Sequence, residues 1–214
     1  MPPVSVSGDG RPGDHRHSRP TADPAGTRFS VCVYCASSLS VPAQYVDLAT
    51  DVGKEIAARG WDLVSGGGRV SMMGAVASAA RAGGARTIGV IPRSLVDREV
   101  ADTAADELLV TDTMRERKAL MEAHAGAFLA LPGGIGTCEE LFEVWTAATL
   151  GMHDKPVVLL DPDDHWAGLL DWLAGLVERG FTGGAAMQRL VVARDVTEAL
   201  DACAPRRDVT ASVS

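Results

Sequence analysis

The strongest constraint in this chain is an alternation. Short runs that are apolar on both sides recur at residues 29–35, 61–65, 86–91, 107–110, 127–131 and 156–160. Longer segments with helical period separate or follow them, at 42–59, 72–82, 114–123, 138–150 and 165–179. A run that is apolar on both faces suits a strand buried on both faces, as in a parallel sheet. Strand–helix alternation brings right-handed crossovers and helices on both sides of the sheet. The expected fold is therefore α/β: a single-domain, Rossmann-like, doubly wound parallel sheet. Such folds bind ligands beyond the carboxyl ends of their strands, so the turns that follow strands are where function is expected.

Composition narrows the classes. The chain has 214 residues, enough for one domain with tails, and 46% hydrophobic residues to build its core. A net charge of −8 argues against a general nucleic-acid binder, which needs a basic face for phosphates. One local basic cluster can still hold a single phosphate group. No apolar run approaches the roughly 18 residues of a membrane span, and the N-terminus lacks an apolar signal-type stretch, so a cytoplasmic protein is expected. In that compartment the four cysteines remain thiols. Residues 1–27 and 204–214 are polar, without period, and read as disordered tails around a nucleotide-binding domain at 28–203.

Three turns after strands stand out: CASS at 35–38, SGGGRVSMMG at 65–74 and PGGIGTCEE at 132–140. Glycines there let backbone amides approach a ligand, and the next helix offers unpaired N–H groups and a favourable dipole to an anion. In PGGIGT, Gly133, Gly134 and Gly136 free the backbone and Thr137 adds a hydroxyl. One such turn also fits a tight turn with positive φ. Two on one sheet edge point to a phosphate. Neither is a Walker A loop or a GxGxxG dinucleotide fingerprint, so NAD is not expected.

The segment TMRERKALMEAH opens with Thr113 and Glu116 at capping-box spacing. Arg117 and Lys118 fall on the stripe shared with Met114 and Met121, which should face inward. Buried cations need anionic partners, from a ligand or from an acidic side chain. Glu139 and Glu140 follow the PGGIGT turn. Thr137 and Glu140 also have capping-box spacing, which is the structural explanation for Glu140. The functional one is a carboxylate beside a phosphate turn and an inward arginine, as glycosidic-bond cleavage through a ribosyl cation requires.

PGGIGTCEE, with MRERKALM upstream and SGGGRVSMMG before it, resembles the LONELY GUY family, the cytokinin riboside 5′-monophosphate phosphoribohydrolases, often mislabelled lysine decarboxylases. The resemblance runs from about Arg28 to Leu200. It implies a Rossmann-like homodimer that cleaves an N6-substituted AMP to free base and ribose 5-phosphate without metal or cofactor. It implies Arg117 and Glu140 as catalytic residues. It also implies that Ser37, Ser38, Gly67, Gly68, Glu99, Lys118, Gly133, Gly134, Gly136, Thr137, Glu139 and Thr146 bind the substrate. The chain departs from the family pattern at Ala36, at Ile135 in place of a tyrosine, and at Ser71 where a glycine is expected, which removes a flexible position.

Other features are read as structural. Cys32 and Cys35 lie three apart on a strand and point to opposite faces, unsuited to a shared metal. His124, His153 and His165 are expected at the surface. Trp145, Trp166 and Trp172 are expected to pack, some at a dimer interface. Two rival functions remain: a non-catalytic carrier of a nucleotide or phosphorylated cofactor, and an amino-acid decarboxylase, which lacks a lysine in a recognisable pyridoxal-phosphate context.

Overall fold

The computed structural model describes residues 28–99 and 101–205. The first expected tail, and all of the second beyond residue 205, lie outside the described residues. In chain order the elements are β1 (Ser30–Tyr34), α1 (Ala43–Ala58), β2 (Asp62–Ser65), α2 (Ser71–Ala82), β3 (Thr87–Pro92), α3 (Arg93–Glu99), β4 (Glu107–Thr111) and α4 (Met114–His124). They continue with β5 (Ala127–Ala130), α5 (Ile135–Thr149), β6 (Val157–Leu160), α6 (Ala167–Glu178), α7 (Gly184–Met187), β7 (Leu190–Ala193) and α8 (Val196–Cys203).

The seven strands form one sheet in the order β4-β3-β2-β1-β5-β6-β7, and every pairing is parallel. The fold is the expected doubly wound one. The chain winds outward from β1 in one direction, returns at β5 and winds out the other way. The order therefore reverses between β1 and β5, and the crevice beyond their carboxyl ends is the topological switch point.

Side chains alternate across the sheet and build two cores. Val31, Val33, Leu129, Leu131 and Leu160 pack on one side against α1, α2 and α8. Cys32, Tyr34, Val64, Phe128 and Leu159 pack on the other against α4, α5 and α6. Each fully buried large aliphatic or aromatic side chain contributes about 1.5–3 kcal/mol. Cys32 and Cys35 sit in different layers, as their spacing on a strand predicts, and all four cysteines are free thiols.

Helix starts follow local chemistry. Thr113 caps α4: its hydroxyl accepts from the Glu116 amide at 3.1 Å, and the Glu116 carboxylate reaches back to the Thr113 amide at 3.2 Å. The sequence reading missed α3, α7, β7 and α8. These are short, and β7 is an edge strand with a half-exposed pattern, so neither a buried run nor a long period marks them.

Candidate active site

A cavity of about 320 Å³ opens at the switch point, a volume suited to a small ligand. Its walls are the end of β1 with the Cys35–Ser38 turn, Gly66 after β2, Leu95 of α3, Met114 and Arg117 of α4, and the first turns of α5. The three turns singled out in the sequence thus meet at one place, because β1, β2 and β5 are neighbours in the sheet.

Arg117 forms the floor. It is 6% exposed and wholly committed to one orientation. Its Nε donates to the Val90 carbonyl at 3.0 Å and its Nη2 to the Gly66 carbonyl at 3.4 Å. Its Nη1 donates to Glu140 Oε1 at 2.9 Å, and both side chains of that ion pair are nearly buried, at 7% and 11% exposure. A buried cation is costly unless paired and hydrogen-bonded, and all three of these bonds meet that demand. The guanidinium fits because residue 66 is glycine: a Cβ there would stand 2.1 Å from Nη2. Sequence reasoning missed Gly66, since the run of three glycines gave no reason to prefer one. It also missed Tyr34, Met73 and Leu95 in the wall. Burial, with the Glu140 carboxylate nearby, pushes the Tyr34 phenol well above its usual range, so it stays protonated.

The mouth is built by α5. Its N-cap is Gly134, which offers no side-chain cap, so the first-turn amides of Ile135, Gly136 and Thr137 have no intrahelical acceptor and no capping oxygen. Gly134, Gly136 and Thr137 all line the cavity, as do Ser37 and Ser38. Gly133 stands just behind: a Cβ there would meet Thr137 Oγ1 at 2.1 Å. The helix begins at Ile135, so Thr137 is already inside it and is not the N-cap. The capping-box explanation for Glu140 therefore falls, and the carboxylate belongs to the Arg117 pair.

Other expected site residues lie outside the wall. Neighbouring helical positions differ by about 100° in direction, so Lys118 turns away from Arg117. It bonds to Glu139 and Glu143 of α5, which raises its pKa. Gly67 and Gly68 lie beneath the floor: Gly67 has φ +72° and its carbonyl accepts from the Asp102 amide at 2.8 Å, and Gly68 bridges to Ala101. Thr146 lies farther along α5, in an apolar groove with Phe142, Trp145 and Trp172. Glu99 ends α3, and its side chain lies outside the described residues. Ser71 adopts φ +53°, so the position where the family pattern has glycine does require a left-handed backbone, here imposed on a serine.

Among the described residues no group of three or more His, Cys, Asp or Glu is placed to hold a metal ion, and no helix is long and apolar enough to cross a membrane. The chain's three lysines are Lys54, Lys118 and Lys155. None lines the cavity: they bond to Asp51, to Glu139 and Glu143, and to the Glu122 carbonyl respectively.

A family model described as "Possible lysine decarboxylase" matches residues 73–203. A cytokinin riboside 5′-monophosphate phosphoribohydrolase from Mycobacterium tuberculosis is 58% identical over 177 residues, covering 83% of this chain and 94% of that one. The cytokinin riboside 5′-monophosphate phosphoribohydrolase LOG3 of Arabidopsis thaliana is 43% identical, covering 82% of this chain and 83% of its own. Among solved structures, a molybdenum cofactor binding protein from Rippkaea orientalis superposes with a TM-score of 0.63 over 83% of this chain and 96% of that one. Its identity is 22%, so that likeness concerns the fold alone.

Proposed function

The chain belongs to the LONELY GUY family of cytokinin riboside 5′-monophosphate phosphoribohydrolases, and on that premise we propose that its switch-point cavity hydrolyses the N-glycosidic bond of an N6-substituted adenosine 5′-monophosphate. The products are the free base and ribose 5-phosphate. The observation that carries this reading is the Arg117–Glu140 ion pair on the floor of a cavity whose mouth is an uncapped helix N-terminus.

The 5′-phosphate is taken by the first-turn amides of α5, with the helix dipole and the Thr137 hydroxyl. Ser37 and Ser38 face it from the β1 side. The ribose then lies over Glu140. As the bond from C1′ to the base breaks, its electron pair leaves with the base and positive charge spreads over C1′ and the ring oxygen. The Glu140 carboxylate, fixed before the substrate arrives, stabilises that charge. Water supplies hydroxyl to C1′ and a proton to the base. Arg117 makes three bonds within the protein out of five N–H groups. It holds Glu140 in register, and its remaining N–H groups face the substrate. Gly67, Gly68, Lys118, Gly133 and Glu139 shape the site from behind it. Glu99 and Thr146 keep the nucleotide-holding role that the family resemblance implies.

No lysine stands in the cavity to form a Schiff base, so the family model's decarboxylase label finds no support at this site. We place the enzyme in the cytoplasm, where free thiols persist, and as a homodimer. The exposed Leu150, Met152, Trp172 and Phe181 on and beside α5 and α6 offer the apolar face for the second copy. The decisive experiment is product chromatography after incubation with isopentenyladenosine monophosphate and, in parallel, AMP. Free base and ribose 5-phosphate establish the activity. Intact nucleotides that still raise the melting temperature would favour the carrier function instead.

A further inference from the structure

The turn that follows β6, DPDDHW, lies beside the PGGIGT turn and outside the cavity wall. Asp161 is fully buried and its Oδ1 accepts from the Trp166 amide at 3.1 Å, which closes the turn. Arg194 of the β7–α8 connection braces the turn from outside, donating to the Asp161 carbonyl at 3.1 Å and to Asp164 Oδ1 at 2.6 Å. Asp164 takes φ +60°, a conformation that aspartate tolerates better than most residues, and this swings the next side chain back over the sheet edge. Asp163 is tied to the start of α1 by Tyr45 Oη at 2.7 Å and Gln44 Nε2 at 3.2 Å.

The side chain so presented is His165. Its ring stands edge-on to Trp166, with centroids 4.7 Å apart, and to Tyr45 at 5.8 Å. Its Nε2 lies 3.3 Å from the Gly133 amide and 3.1 Å from the Gly133 carbonyl. Either protonation state of that nitrogen thus has a partner in the same residue: a bare Nε2 accepts from the N–H, and a protonated one donates to the C=O. Gly133 in turn packs against Thr137 so closely that only a glycine fits.

We propose that His165 is a positioning residue for the substrate's phosphate group: it fixes the Gly133 backbone, and through it the Gly134–Thr137 amides, from outside the cavity. This rests on the phosphate reading of that turn. His165 touches neither the cavity nor the Arg117–Glu140 pair, so its removal loosens phosphate capture and leaves the chemical step intact. A surface histidine with no such role would leave both unchanged.

The test uses the full chain with His165→Ala and His165→Gln, whose amide offers both a donor and an acceptor at the Nε2 distance. Ribose 5-phosphate and free base are each titrated as inhibitors of nucleotide hydrolysis. Loss of one net hydrogen bond predicts about a fivefold rise in the ribose 5-phosphate inhibition constant and in KM for His165→Ala. The base inhibition constant and kcat stay within about twofold, and His165→Gln restores the wild-type values. The proposal is overturned if ribose 5-phosphate inhibits His165→Ala as well as wild type, if base inhibition weakens in parallel, or if glutamine gives no rescue. If ribose 5-phosphate fails to inhibit the wild-type enzyme, or if Thr137→Ala leaves that inhibition untouched, the phosphate reading of the turn fails first and this proposal with it.

Discussion

Gly66→Ala isolates the geometry of the cavity floor. Gly66 is absent from the positive-φ glycines, so alanine meets no backbone penalty there. What it meets is Arg117: the new Cβ would lie 2.1 Å from Nη2 and 3.3 Å from Cζ. Non-bonded heavy atoms settle near 3.5 Å, so the guanidinium must retreat by roughly 1.4 Å. It can do so, being the end of a flexible side chain, whereas the strand cannot. The retreat breaks the 2.9 Å bond to Glu140 or the bond to the Gly66 carbonyl. A hydrogen bond to a charged group contributes about 1.5–3 kcal/mol, and a misplacement of about 1 Å costs on the order of 10²-fold in rate. The expected result is a fall of about 100-fold in kcat/KM, near 2.7 kcal/mol, measured by chromatography of released base. The variant should still fold, with the melting temperature lowered by roughly 3–12 °C through the loss of that bond. Gly168→Ala, at an open position on α6 with nothing within 4 Å, is the control and should leave kcat/KM unchanged. Turnover near wild type in Gly66→Ala would show that Arg117 need not be where the structure puts it, and the argument for the floor would fall.

Three further outcomes follow from the same structure. Glu140→Gln should lower kcat by about 10²–10⁴-fold, and Arg117→Ala should do the same, while ribose 5-phosphate still protects Glu140→Gln from thermal unfolding; turnover retained in both variants would remove them from the chemistry. Ser71→Gly should raise stability by roughly 0.5–1 kcal/mol in urea unfolding, because relief of the φ +53° backbone outweighs glycine's greater freedom in the unfolded chain; a destabilised variant would contradict it. Alkaline stability should decline early. Burial pushes the Cys203 thiol from 9.0 up to about 12, and those of Cys32 and Cys35 also well above their ordinary value. The unfolded chain therefore releases these protons first. The thiols' contribution is complete below pH 9 and is lost as pH rises through the folded values, at roughly 1 kcal/mol per thiol per pH unit. Urea midpoints at pH 8 and pH 10 measure this, and Cys203→Ala should lessen the difference between them; equal midpoints in the wild type would refute it.

Much of the fold was legible before any coordinates. Six strands and five helices announce themselves because burial on both faces demands apolar runs and helix packing demands a 3.6-residue stripe. β7 and α8 were not legible, since an edge strand shows water one side and α8 spans only two turns. The site was half legible. Gly134, Gly136, Thr137, Arg117 and Glu140 can be picked out by residue type and local spacing, and Ser37 and Ser38 by the family resemblance; the structure brings all of them to the wall of one cavity, with Gly133 just behind it. Lys118 and Glu139 look equally good in sequence, yet they bond to each other outside the wall, one helical position away from the residues that line it.

The sequence by itself determined which segments become strands and helices, where α4 is capped and which turns expose amides, because those depend on interactions within a few residues. Only the tertiary structure decided that β1, β2 and β5 lie side by side, that Gly66 leaves room for a guanidinium 51 positions later, and that His165 reaches back to Gly133 across 32. Those outcomes are fixed by strand order and by contacts between segments far apart in the chain, and no local pattern encodes them.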